Sequence, residues 1–239
     1  QTLILMRGDL KVCSKPAQQK SSTKSQPVKK PIDLTNLSEV VINVHPSNVP
    51  YSILALQTLW KGRLNLLVEV FTHSSVKESD FTKDAKDFTE KVTAPSAQNN
   101  LPTLKVTIIW KDVETTQMLT SPSKFIPIYG EVNIIRFLNR VGPSEFSYEV
   151  DNHFATLSDA ILDICYQLSK KHSTKERQAY VQQLSKLLGK SQFFNNSVNA
   201  SIADVAVSSI LKKLFSSNIK ELPVNISSWL VKLSPIAGY

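Results

Sequence analysis

Gln192–Leu214, QFFNNSVNASIADVAVSSILKKL, decides the fold. Ser201 stands three residues before Asp204, and an apolar series follows at Ile202, Val205, Ala206, Ile210 and Leu214. A serine at the N-cap accepts from the Asp204 amide while the Asp204 carboxylate reaches back to the Ser201 amide, and an acid in the first turn also suits the helix dipole. From Ala203 to Ile210 there is no lysine or arginine, and Asp204 is the one acid. A helix apolar nearly all round is a central, buried one. Other helices are expected to pack around it.

The neighbours read as helices too. Leu157, Ile161, Ile164, Cys165 and Leu168 recur at helical spacing over 154–168. Ser173 and Glu176 form a second capping-box pattern, opening a helix through Tyr180, Val181, Leu184 and Leu188 to Gly189. The last helix, 224–233, carries Trp229, Leu230 and Leu233. Everything after Pro143 is thus helical.

Ahead of Pro143 the pattern is mixed. VVINV (40–44) suits a buried strand. Pro50 opens a helix running to Trp60, and Gly62 ends it. LNLLVEVF (64–71) is a second strand, so strand, helix and strand within about thirty residues predict a βαβ unit with parallel pairing. Residues 72–101 read as an exposed, variable segment with a weak helix around 81–92. LKVTIIW (104–110) and the shorter 116–120 predict a hairpin. After a proline-broken stretch, 131–141 is a helix with Ile134, Ile135, Phe137, Leu138 and Val141 on its face, stopped by Gly142-Pro143. The fold class expected is α/β plus all-α: a thioredoxin-like N-terminal domain over 32–142 and a helical domain over 143–239.

The net charge of +8 is concentrated in residues 1–31, which carry +6 and leave +2 for the rest. That stretch, rich in Lys, Ser, Gln and Pro, reads as a basic flexible linker, with a coiled-coil end expected at 2–12. Contact with tRNA through it is expected to be weak at most. No run approaches the ~20 apolar residues of a membrane span. Cys13 and Cys165 make no disulfide framework, and no metal-ligand spacing occurs among His45, His73, His153 and His172. The reading is a reduced, cytosolic protein without metal or cofactor, with a nuclear fraction left open.

The element order, ending in SIAD (201–204) inside a buried helix, resembles the glutathione transferase superfamily, whose central C-terminal helix starts on a Ser/Thr-x-x-Asp box. The resemblance covers about residues 38–239 and implies a helical domain of the transferase C-terminal type. FTHSSVK (71–77), TIIWKDVETTQM (107–118), PIYGEVNIIRFL (127–138), LGKS (188–191) and the terminal NISSWLVKLSP narrow it. They resemble transferase-like scaffold subunits of the multi-aminoacyl-tRNA synthetase complex, the second type of the synthetase-interacting multifunctional proteins. The resemblance implies a non-catalytic scaffold. Its expected partners are the transferase-like domain of glutamyl-prolyl-tRNA synthetase and aspartyl-tRNA synthetase. Lysyl-tRNA synthetase and another scaffold subunit are expected to bind N-terminal parts missing or truncated here. The alternatives are an active glutathione transferase and a tRNA-binding accessory protein using the basic tail.

The transferase chemistry is poorly provided for. The family needs an activating Tyr, Ser or Cys after the first strand, and only Ser47 and Tyr51 are candidates. It needs a cis-proline beside the tripeptide, for which Pro102 is the candidate, and a Glu/Gln-Ser pair that here is Gly130-Glu131. His73 has no partner acid or oxyanion motif. The expectation is no catalytic residue. For docking, the resemblance carries over Arg136 on the third helix and Asp163 on the fourth, with Asn133 and Arg140 as neighbours one helical step away. An arginine there can make a bidentate pair across an interface, and the alternative is an intrachain ion pair. Trp229 is expected in the core, on a helix that is a second docking surface in these complexes.

Overall fold

The computed structural model describes residues 37, 39–94, 100–120, 126–149, 151–216 and 218–238. The linker and coiled-coil expectations for 1–31 lie outside them.

The N-terminal half is a five-stranded mixed sheet with three helices. In chain order these are β1 (Glu39–Val44), α1 (Tyr51–Leu59), β2 (Asn65–Thr72), α2 (Lys83–Thr93), β3 (Thr103–Trp110), β4 (Gln117–Leu119), β5 (Ile128–Tyr129) and α3 (Glu131–Val141). The sheet order is β2-β3-β1-β4-β5. β3 runs parallel to both β1 and β2, with Ile108 beside Ile42 and Val70. β4 is antiparallel to β1, with Met118 opposite Ile42, and β5 is antiparallel to β4.

Two expectations are corrected by this topology. β1 and β2 do not pair, because β3 lies between them, and β3 forms no hairpin with β4. The burial pattern gives the reason. β3 is buried along most of its length, as a central strand must be, whereas β2 exposes Glu69, Phe71 and Thr72 and sits at the edge. The segment expected to be variable is also part of the core. Thr82 caps α2 by accepting from the Ala85 amide at 3.1 Å. Ala85, Phe88 and Val92 are buried, and Phe88 meets Trp110 edge to face at 6.0 Å.

The C-terminal half is α4 (Asn152–Ser169), α5 (Thr174–Leu188), α6 (Ile202–Phe215) and α7 (Val224–Ala237). α6 is buried from Ile202 to Leu211 and packs against α1, α3, α4 and α7. It is the central helix its sequence predicts. α7 runs a turn further than expected, taking Pro235 into its last turn and ending on Gly238 at φ +76°. One hydrophobic core is continuous through both halves.

The two capping boxes fare differently. Asp204 Oδ2 accepts from the Ser201 amide at 2.9 Å, completing the capping box, and also from the Ser201 hydroxyl at 2.9 Å. Ser173 holds the N-cap position of α5 but makes no side-chain capping bond, and Glu176 pairs instead with Lys171 at 3.2 Å. A lysine one turn away competes for a carboxylate that the backbone amide would otherwise use.

Candidate functional site

Arg136, Asp163, Asn133 and Arg140 fall on one face built by α3 and α4. Arg136 Nε donates to Asp159 Oδ1 at 3.1 Å, Nη2 to Asp163 Oδ1 at 2.7 Å and Nη1 to Asn133 Oδ1 at 3.2 Å. Arg140 donates to Glu149 at 2.8 Å. Tyr148 joins the two groups by donating to Asp159 at 3.4 Å. Burial lowers the tendency of Arg136 to stay charged, but Asp163 and Asp159 outweigh it and hold the guanidinium more firmly protonated than usual. Hydrogen bonding to Arg140 draws the Glu149 carboxyl below its ordinary range. The side chain of Arg136 is 16% exposed and that of Asp163 is 71% exposed. The face therefore presents a carboxylate to solvent on an arginine that is already oriented from beneath. Asp159 is the member that sequence reasoning missed. It stands one turn before Asp163, and that i, i+4 acid pair was the available signal.

A second constellation lies where the halves meet. Glu131 opens α3 behind Gly130, whose φ of +82° lets the chain turn from β5 into the helix. Its Oε1 accepts from the hydroxyls of Ser52 on α1, at 2.5 Å, and Ser209 on α6, at 2.6 Å. Its Oε2 pairs with Lys213 on α6, which also donates to Asn48 at 2.8 Å. Asn48 in turn donates to Thr116 at 2.9 Å. Burial pushes the Glu131 carboxyl up, yet Lys213 and the two hydroxyls more than offset this and leave it below its ordinary value. Beside these groups is a cavity of about 180 Å³ lined in part by Ser47, Thr116, Glu131 and Lys213. That is smaller than the ~300–1,000 Å³ usual for organic-ligand sites.

The catalytic candidates do not assemble there. Tyr51 is not on the cavity wall. Its phenol is pushed well above the ordinary range by burial and by Asp84, the opposite of what stabilising a thiolate requires. Ser47 does line the cavity, with its hydroxyl on His45 Nδ1 at 2.8 Å. Pro102 sits at the start of parallel β3, at the end of the sheet remote from Val44 and Ser47, and no described peptide bond is cis. The cavity is instead lined by Thr116, the residue before antiparallel β4. His73 Nδ1 meets the hydroxyl of Ser75 at 2.9 Å and accepts from its amide at 3.1 Å, a local turn. Among the described residues no group of His, Cys, Asp and Glu could hold a metal ion, and no helix is long and apolar enough to cross a membrane.

The third arrangement organises the helical half. Asp204 Oδ1 accepts from the Phe194 amide at 3.1 Å and from the Trp229 indole at 3.2 Å, while Oδ2 takes both Ser201 donors. Burial pushes the Asp204 carboxyl up, and these four donors work against that shift. Trp229 is buried and meets Phe194 edge to face at 5.2 Å, so it is a core residue.

A thioredoxin-like half packed through a buried α6 against an all-helical half defines the class: a two-part thioredoxin-like and helical fold. Residues 35–129 match the thioredoxin-like domain family. The chain is 38% identical over 224 residues to the Drosophila melanogaster "Probable aminoacyl tRNA synthase complex-interacting multifunctional protein 2", covering 94% of this chain and 65% of that protein. It is 33% identical over 207 residues to the Homo sapiens protein of that name, covering 87% and 62%. The chain is thus similar to proteins that carry that name. It spans less than two thirds of the length of those relatives. Among solved structures, a chain from work on yeast aminoacyl-tRNA synthetase complex formation overlays with a TM-score of 0.49 and 15% identity, covering 84% of this chain and 89% of that one. A delta-class glutathione transferase of Nilaparvata lugens overlays with a TM-score of 0.47 and 15% identity, covering 83% and 90%.

Proposed function

We propose that this chain is a non-catalytic scaffold that helps assemble aminoacyl-tRNA synthetases in the cytosol by docking its transferase-like fold onto theirs. The observation that carries the reading is the α3–α4 face, where Arg136 is held by Asp159 and Asp163 with the Asp163 carboxylate turned to solvent. A pre-oriented charged group forfeits little side-chain freedom on docking and rejects partners that lack its complement. The names of the relatives favour this assignment. The partners proposed are the transferase-like domain of glutamyl-prolyl-tRNA synthetase and aspartyl-tRNA synthetase.

The cavity between the halves supports the non-catalytic part. The Glu131 and Lys213 side chains that border it are satisfied by each other and by Ser52 and Ser209 behind them. Tyr51, which would activate a thiol, faces Asp84 instead.

The test is capture of the full tagged chain by the transferase-like domain of glutamyl-prolyl-tRNA synthetase, beside a glutathione resin. Capture that survives Lys175→Ala on an exposed position of α5, falls with Asp163→Lys and leaves the glutathione lane empty supports the reading. Retention on glutathione without synthetase capture overturns it. Comparing melting temperatures shows whether Asp163→Lys acts at the surface or on the fold.

A further inference from the structure

The two faces of the sheet differ. Val40, Ile42, Val44, Leu104, Val106 and Ile108 are buried on one face, which α2 reaches through Phe88 on Trp110. The opposite face holds a row of side chains in register across all five strands: Phe71, Ile109, Asn43, Gln117 and Tyr129. At about 4.8 Å per strand spacing, the row spans roughly 19 Å. Its ends are open, with Phe71 54% and Tyr129 56% exposed. Ile109 and Gln117 are half-buried between them, as are Val41 and Leu119 in the next row, and Asn43 closes the floor. Parallel strands are normally covered by helices on both faces. An apolar row left open on a parallel ladder is a seat for a layer that the described residues do not supply.

Carboxylates flank both ends of the row. Glu69 stands two residues before Phe71 on the same face of β2, and it shares one lysine, Lys105, with Glu39, at 3.0 Å and 3.9 Å. At the other end Glu114 is exposed and has no ion-pair partner among the described residues. With Val113, Thr115, Gln117 and Tyr129 it lines a notch of about 240 Å³. An open carboxylate beside an exposed tyrosine ring suits an arginine or lysine, which pairs with the one and lies on the other. The notch also adjoins the α3–α4 face, because Asn133 Nδ2 donates to the Tyr129 carbonyl at 2.9 Å.

We infer that this face docks a basic amphipathic helix of a partner synthetase, distinct from the partner at the α3–α4 face. The apolar side of that helix lies on Phe71, Ile109, Leu119 and Tyr129, and an arginine or lysine enters the notch between Glu114 and Tyr129. Apolar burial supplies most of the affinity, while the carboxylates reject acidic partners. The inference rests on the scaffold reading and adds to it a second, adjoining seat with an occupant of opposite charge.

The test measures, by calorimetry over a salt series, binding of the full chain to aspartyl-tRNA synthetase and to the transferase-like domain of glutamyl-prolyl-tRNA synthetase. Glu114→Lys with Tyr129→Ala should weaken aspartyl-tRNA synthetase by about tenfold or more and leave the other unaltered, at an unchanged melting temperature. Glu114→Lys alone, on an exposed position, repeats the measurement should the pair lower that temperature. Asp163→Lys should show the reverse partner preference. Rising salt should weaken the unaltered chain's hold on aspartyl-tRNA synthetase more than the variant's. Absence of aspartyl-tRNA synthetase binding while the other binds, unaltered affinities in the sheet variant, or loss of the same partner in both variants overturns this inference alone. Binding of neither by the unaltered chain overturns the scaffold reading and this inference with it. A dimer in solution that the sheet variant abolishes assigns the face to a second copy and also overturns the inference.

Discussion

The indole of Trp229 on α7 donates to the carboxylate of Asp204 in the first turn of α6, at 3.2 Å. The bond spans 25 residues of chain and brings the last helix onto the cap of the central one. With the Phe194 amide and the two Ser201 donors, it makes a single buried carboxylate the meeting point of the loop before α6, of α6 itself and of α7.

Asp204→Ala is expected to destabilise the protein by about 3–5 kcal/mol. It strands several buried donors, each worth about 1–3 kcal/mol when left unmet, with relaxation recovering part. Urea denaturation followed by circular dichroism reads the change. A loss under 1 kcal/mol would mean that the carboxylate is not a structural centre.

Glu131 gives a pH signature. Its folded pKa lies below its ordinary value of 4.5. The stability it contributes is therefore present above about pH 4.5 and is lost as pH falls through the lower, folded value. Glu131→Gln should cost about 3–5 kcal/mol at pH 7, where it leaves Lys213 buried without its counter-charge. That cost should shrink steadily in acid. A difference between wild type and variant that stays flat from pH 7 to pH 3 would contradict the assignment.

Gly142 tests packing without backbone strain. Its φ of −76° suits any residue, but an added Cβ would lie 2.6 Å and 2.8 Å from ring carbons of buried Trp60. Gly142→Ala should lower stability by about 1–3 kcal/mol through overpacking, read as a fall in melting temperature.

The two arginines of the α3–α4 face should separate cleanly. Arg140 is 53% exposed with its partner Glu149 at 42%, so Arg140→Ala should change stability by less than about 1 kcal/mol. Arg136 is more buried and serves Asp159, Asp163 and Asn133 together. Arg136→Ala should cost about 1–3 kcal/mol, because Asp159 loses its charged partner. Equal effects from the two would deny Arg136 its organising place.

Much of this was legible from local pattern. The Ser201–Asp204 box and the uncharged run behind it announced a buried α6, because capping and amphipathicity are written within a few residues. Sheet order was not. Reading strands that neighbour in sequence as neighbours in space placed β2 beside β1, whereas the better-buried β3 takes the central position. α2 was anticipated as a weak helix, but its place in the core was concealed because Ala85, Phe88 and Val92 are its buried residues in a segment otherwise full of lysines and acids. On the site, Arg136 and Asp163 came from resemblance and Asn133 from helical spacing, and all three converge, while Asp159 was overlooked. The Asn48–Lys213 bond joins positions 165 residues apart and leaves no local trace.

The Glu131–Lys213 pair has a mechanical consequence. With Ser52 and Ser209 on the same carboxylate, it pins α3, α1 and α6 at one point along the seam between the sheet and the helices. Swivelling at that seam would part a buried ion pair and two hydroxyl bonds at once, so the two halves turn as one piece. A partner seated on any outer face thereby acquires a definite bearing relative to every other face. In the proposed scaffold role, this rigidity would set angles between bound partners as a bracket does, in addition to holding them close.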